Sequence, residues 1–149
     1  MPNAPRMNIV VLMTDQQSRS QLGCFGNPVS RTPNLDRLAA SGVRFDNAYT
    51  ACPLCTPARA AIFTGLLPEK AGAWCNDQPL YETVPTMGEL FAARGYRTAY
   101  TGKWHLDAAG YFGSGNPARG FDPRWWYDGR RYARDLGEEG FREYVGGGS

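Results

Sequence analysis

The sequence predicts an α/β fold in which a mostly parallel sheet is flanked by helices, and three observations carry that expectation. Apolar, β-branched runs alternate with stretches of helical periodicity. The first run, Asn8-Ile-Val-Val-Leu-Met13, is apolar without interruption, as expected of a strand buried on both faces. Thr14-Asp15 and Gly102-Lys-Trp-His105 each follow a strand-like run directly, at the carboxyl ends where such sheets gather functional residues.

The elements follow in order. Thr32 is a candidate N-cap, Pro33 suits the first helical position and Gly42 suits the stop, so the spacing predicts a helix from Pro33 to Ser41. Val43, Phe45 and Tyr49 predict a short strand after it. A second helix is expected from about Pro57 to Thr64, ended by Gly65. A third is expected from about Pro85 to Arg94, with Met87, Leu90 and Phe91 on one face and Gly95 as stop. Arg97-Thr-Ala-Tyr-Thr101 reads as a further strand. Residues 1–106 form the regular part of the domain. In 107–145 the only large aliphatics are Leu136 and Val145, while aromatic, glycine and arginine residues abound. That extension cannot build an aliphatic core of its own and is expected to lie over the first part as long loops. Residues 146–149, Gly-Gly-Gly-Ser, read as a flexible tail.

Composition excludes several classes. The 149 residues are 42% hydrophobic and 20% charged, enough for one domain with a core. A net charge of +2 is too even for a general nucleic-acid or membrane-surface binder. No apolar run approaches the roughly 20 residues that span a bilayer, and the first residues do not form a secretory signal, so a cytoplasmic location is expected. Cys24, Cys52, Cys55 and Cys75 are too sparse for a disulfide framework. Only Cys52 and Cys55 have the close spacing of a zinc pair.

Ala51-Cys52-Pro-Leu-Cys55-Thr-Pro-Ala-Arg59 places Cys55 just before a helix and Arg59 four residues on. A helix N-terminus and a planar cation together suit an anion; a small buried cysteine beside a surface arginine is the plainer alternative. The neighbouring text decides between them. Cys55-Thr-Pro-Ala-Arg59 has the form C-x-P-x-R and resembles the signature of the sulfatase family, formylglycine-dependent members of the alkaline-phosphatase superfamily. Asn8–Gln17 resembles that family's first strand and metal-binding turn. Leu22–Asn27, Thr32–Ala39, Gly42–Tyr49 and Ala60–Gly65 resemble the segments that follow. Gly95–Leu106 resembles the second sulfatase signature, and Gly120-Phe-Asp122 a later recurring segment. The blocks occur in order over residues 7 to 122, as in the N-terminal portion of the family's catalytic domain.

The resemblance implies hydrolysis of a sulfate monoester of a small molecule or saccharide. Cys55 would be oxidised to Cα-formylglycine by a sulfatase-maturing enzyme. The aldehyde, hydrated to a geminal diol, would attack sulfur through one hydroxyl, and loss of the proton on the other would expel sulfate. A divalent cation, calcium or else Mn2+ or Mg2+, would be held by Asp15, Gln16 and the converted residue 55. Arg59 would hold the diol, Lys103 would reach the sulfate oxygens, and His105 would bond the diol and take its proton. Asn76, in Trp74-Cys-Asn-Asp, is a candidate substrate contact or a turn residue. Lys103 and His105 are two apart, so on an extended strand both point to one side. All these residues are expected to converge at one end of the sheet, and Cys52 and Cys55 are expected to remain unbridged thiols.

Two departures keep other readings open. Gln16 stands where many members carry a second aspartate, which resembles the choline-sulfatase and phosphonate-monoesterase branch, so a phosphonate monoester or phosphodiester hydrolase is the alternative. After His105 the sequence has neither histidine nor lysine, whereas the family's later portion supplies further cations and metal ligands. The chain alone is therefore expected to be a truncated, inactive fragment that retains the fold, its natural partner being the remaining C-terminal part of the catalytic domain.

Overall fold

A computed structural model describes residues 7–116 and 119–146; of the expected tail 146–149, Gly146 is the last residue of a helix and 147–149 lie outside the described residues. The chain divides into two compact units, 1–48 and 49–149.

In the first unit, α1 spans Pro33–Ser41, as the Pro33 and Gly42 signals predict. Thr32 occupies the N-cap position but makes no capping bond. Its hydroxyl instead accepts from the Gly23 N–H (2.9 Å) and donates to Asp36 Oδ1 (2.9 Å), and the same carboxylate oxygen accepts from the Cys24 N–H (2.7 Å). This ties α1 to the 3-10 turn Gly23–Phe25. Side-chain atoms have priority here over the cap because two loop N–H groups would otherwise lack acceptors. Arg19 and Arg44 both lie over the Phe25 ring, 4.8 and 5.0 Å from its centroid. None of the described residues of this unit is buried.

Residues 8–13 and 43–49 are not strands in the structure, which corrects two expectations. Val10 and Leu12 are 78% and 84% exposed. An apolar run becomes a buried parallel strand only when neighbours complete its hydrogen-bond ladder, and no described segment pairs with it.

The second unit holds the core. α2 spans Cys55–Thr64, starting two residues before the expected Pro57, so Cys55 is its first residue. Proline is compatible with that first turn because its missing N–H would have no partner inside the helix. α2 ends at Gly65, whose φ of 70° closes it in the left-handed conformation. The short α3, Pro68–Ala71, follows. α4 covers Met87–Ala93 behind a capping box: Thr86 accepts from the Glu89 N–H and the Glu89 carboxylate accepts from the Thr86 N–H.

β1 (Tyr100–Gly102) and β2 (Trp126–Asp128) form a two-stranded parallel sheet with Tyr100 opposite Trp126. α5, Gly129–Gly146, follows β2 and is interrupted at Gly137. The core is Ala60, Phe63, Ala71, Ala73, Leu80, Trp104, Leu106 and Trp126, with Met87, Tyr100 and Phe121 against it. The extension thus does more than lie over the first part as loops. It contributes β2, and with it Trp126 at the centre of an aromatic cluster: Trp126 stacks on Tyr100 (4.8 Å, 24°) and meets Trp104 edge-on (5.2 Å, 73°).

The loop before β2 packs onto α4 at Gly120, whose φ is 86° and whose added Cβ would stand 2.3 Å from the Glu89 nitrogen. Gly120→Ala is therefore expected to destabilise this unit by about 2 kcal/mol or more, left-handed strain and backbone collision adding together, read as a lowered urea midpoint.

Candidate active site

Five of the expected site residues lie in the second unit, and one side chain joins the segments that carry them. Thr56, fully buried, follows Cys55 in the first turn of α2. Its hydroxyl donates to the His105 carbonyl (3.0 Å) and accepts from the Asp77 N–H (3.3 Å). Its own N–H donates to Asn76 Oδ1 (3.1 Å). The start of α2, the 76–77 turn and the loop after β1 are thereby fixed together.

Asn76 accordingly caps α2 from a distant part of the chain. This changes the expected anion site at the helix start: the Thr56 N–H is taken, Pro57 has none, and the Ala58 N–H bonds Leu54 O (3.0 Å). The helix offers an anion fewer N–H groups than the sequence implied. Cys55 is half-buried, and all four cysteines are free thiols.

Arg59 is 7% exposed, one turn into α2, and its Nη1 donates to the Lys103 carbonyl. The Tyr100 hydroxyl donates to the same carbonyl. Burial pushes the Tyr100 phenol up to about 12, against an opposing pull from Arg59, so it stays a neutral donor. Arg59 therefore braces the loop that carries Lys103, a role its spacing to Cys55 does not reveal.

Lys103 and His105 do not sit on the strand as expected. β1 ends at Gly102, whose φ is 105°, and His105 itself is left-handed at φ 59°. The two-residue alternation ends there, and the side chains meet through a third residue instead. Lys103 Nζ lies 3.9 Å from the Tyr111 ring centroid, and the His105 ring lies 6.1 Å from it. Trp104, between them, points into the core at 0% exposure.

His105 is 6% exposed; its Nε2 lies 2.9 Å from Asp77 Oδ1, and its Nδ1 is buried without a hydrogen-bond partner among the described residues. No sequence pattern marks Tyr111 or Asp77 as a site residue. Asp77 adjoins the candidate Asn76, a weak signal; Tyr111 stands in a glycine-rich stretch with no spacing that marks it.

Asp15 and Gln16 belong to the first unit. Both are exposed in a bend after the extended run, and Gln16 has a φ of 55°. A carboxylate and an amide carbonyl are hard oxygen donors of the type calcium takes, whereas a Cys55 thiol is not. Among the described residues no group of three His, Cys, Asp or Glu side chains could hold a metal. The donor types of Asp15 and Gln16 fit a calcium ion.

A family model described as Sulfatase matches residues 7–146. The uncharacterized sulfatase YidJ of Escherichia coli (strain K12) is 43% identical over 134 residues, covering 90% of this chain and 27% of its own length. Human arylsulfatase A is 47% identical over 107 residues, 66% of this chain and 21% of that protein. The N-acetylglucosamine-6-O-sulfatase of Bacteroides thetaiotaomicron is 36% identical over 144 residues, 88% of this chain and 26% of that protein. Among solved structures, that of BT4656 in complex with its substrate D-glucosamine-2-N,6-O-disulfate superposes with a TM-score of 0.70 at 36% identity, over 79% of this chain and 22% of that one. The chain spans about a quarter of the length of the curated relatives it matches.

Thr56→Val keeps shape and removes the hydroxyl that joins three segments. It is expected to cost about 1–3 kcal/mol, because the buried His105 carbonyl loses its donor, while Thr56→Ser stays near the original stability in a denaturant titration.

Proposed function

The chain belongs to the sulfatase family, and from that premise we propose that it forms the N-terminal part of a catalytic domain that hydrolyses a sulfate monoester. The observation that carries the proposal is the assembly of the two signature segments. Thr56 beside Cys55 holds the His105 carbonyl, and Arg59 holds the Lys103 carbonyl, so nucleophile precursor, cations and histidine are kept in one small region. Lys103 supplies a positive charge for an anionic ester. Arg59 adds a second charge and, through the Lys103 carbonyl, keeps the loop in place. His105 offers the proton-accepting ring.

Conversion of Cys55 to Cα-formylglycine by a maturing enzyme would replace its sulfur with oxygen, and its hydrate would supply the attacking hydroxyl. Asp15, Gln16 and that oxygen would hold a calcium ion, which, when bound, neutralises sulfate charge and lowers the pKa of a ligated hydroxyl. Asn76 remains a proposed substrate contact through the part of its amide that does not cap α2. The relatives named for N-acetylglucosamine-6-O-sulfatase activity and for a disulfated glucosamine support a sulfated saccharide as substrate class.

The remainder of the catalytic domain is the proposed partner, and it accounts for the exposed run at residues 9–13. Activity is a property of that whole. Gln16, with its neutral carbonyl, favours a second reading as a phosphonate monoester or phosphodiester hydrolase. No described helix is long and apolar enough to cross a membrane, and a cytoplasmic location remains part of the proposal.

The test uses the complete protein produced with a sulfatase-maturing enzyme. The peptide containing residue 55 is expected to lose about 18 Da, the exchange of CH2–SH for CHO. Aryl sulfate turnover is expected to exceed aryl phosphodiester turnover, to fall when calcium is chelated, and to drop by about 10²-fold or more in Lys103→Ala. Faster phosphodiester turnover would establish the second reading instead.

A further inference from the structure

The pairing of His105 with Asp77 specifies which imidazole nitrogen is available. Asp77 Oδ1 lies 2.9 Å from Nε2, and an ionised carboxylate only accepts, so the hydrogen of the neutral ring must sit on Nε2. Nδ1 is then a lone-pair nitrogen. It is buried and has no partner among the described residues, in a side chain that is itself more than nine-tenths buried. The opposite tautomer would bury an N–H without an acceptor and set a lone pair against a carboxylate, two unfavourable changes at once.

The surroundings hold this geometry. The His105 backbone is left-handed at φ 59°, uncommon for a residue with a Cβ, and its carbonyl accepts from Thr56 Oγ1. The same Thr56 oxygen accepts from the Asp77 N–H, so a single hydroxyl fixes both members of the pair. The Tyr111 ring borders the imidazole, and the Lys103 ammonium lies over that ring. Asp77 itself keeps 61% of its side chain exposed, so it is not buried as a core ion pair.

We infer that Asp77 is a positioning residue for His105, holding the imidazole as the Nε2–H tautomer so that buried Nδ1 is the nitrogen that takes up a proton. This deepens the sulfatase reading and rests on it. In the converted protein, the remaining hydroxyl at residue 55 would give its proton to Nδ1, its O–H pair would form the aldehyde C=O, and the C–O bond to sulfate would break with its electron pair leaving on sulfate. The ring becomes an imidazolium whose Nε2–H still donates to Asp77, and the carboxylate offsets its charge without becoming protonated.

His105 is the single histidine of the chain, so its imidazole nitrogens can be read directly. Long-range 15N–1H correlation on histidine-labelled protein is expected to show one tautomer, protonated at Nε2. Asp77→Ala is expected to give exchange-averaged nitrogens, and Asp77→Asn, whose amide oxygen can accept the same bond, to restore the single tautomer. An averaged or Nδ1-protonated ring in the unsubstituted chain overturns the inference, as does an Asp77→Ala spectrum identical to it. In the complete enzyme, Asp77→Ala is expected to lower kcat for an aryl sulfate about 10–100-fold with KM within about twofold; an unchanged kcat overturns the positioning role. The two readouts separate the readings. The expected tautomers without turnover by the unsubstituted enzyme would support the pair and remove the sulfatase assignment.

Discussion

The Thr56 hydroxyl is the contact on which the rest of the site depends. It is buried one residue beyond Cys55, and it bonds two segments that are remote in sequence, at Asp77 and His105. A hydroxyl suits this position because it donates and accepts through one small atom. With valine there, shape would survive but the carbonyl of a left-handed histidine would be buried without a donor. The residue that the signature leaves unspecified, the x after its cysteine, is thus the one that joins it to the second signature in this chain.

Beneath that joint lies an aromatic platform. Trp104 separates Lys103 from His105 and enters the core, against Phe63 at 5.0 Å, Tyr100 at 5.2 Å and Trp126 at 5.2 Å. Large rings in edge-to-face and stacked contact lose little conformational freedom and bury much area, so they hold a short two-stranded sheet that would otherwise be marginal. The same packing buries the Tyr100 phenol, which stays protonated and donates to the Lys103 carbonyl. Arg59 reaches that carbonyl from α2. Two neutral or fixed donors on one backbone oxygen keep the lysine's loop in place while its ammonium remains over Tyr111.

The first unit obeys a different constraint. Its α1 and turns are held by side-chain hydrogen bonds around Thr32 and Asp36 and by two arginines over Phe25, with no buried residue among those described. Its apolar run from Ile9 to Met13 has the side chains of an interior strand and no pairing partner among the described residues. In a parallel sheet, burial and pairing are properties of the neighbours as much as of the strand.

The sequence by itself determined the α/β class, the three main helices to within two residues, the family and the identities of Cys55, Arg59, Lys103 and His105 as candidates. These rest on local signals: periodicity, proline and glycine punctuation, and ordered motif blocks. Only the tertiary structure decided how those residues are held. The bond from Thr56 to the His105 carbonyl, the use of Asn76 as a cap for α2, the bracing of Lys103 by Arg59 and the pairing of His105 with Asp77 all join positions 20 to 49 residues apart. The parallel pairing that brings Trp126 against Tyr100 is equally remote. Such contacts leave no periodic trace in the chain, because each depends on where the whole core places two segments and not on the residues beside them.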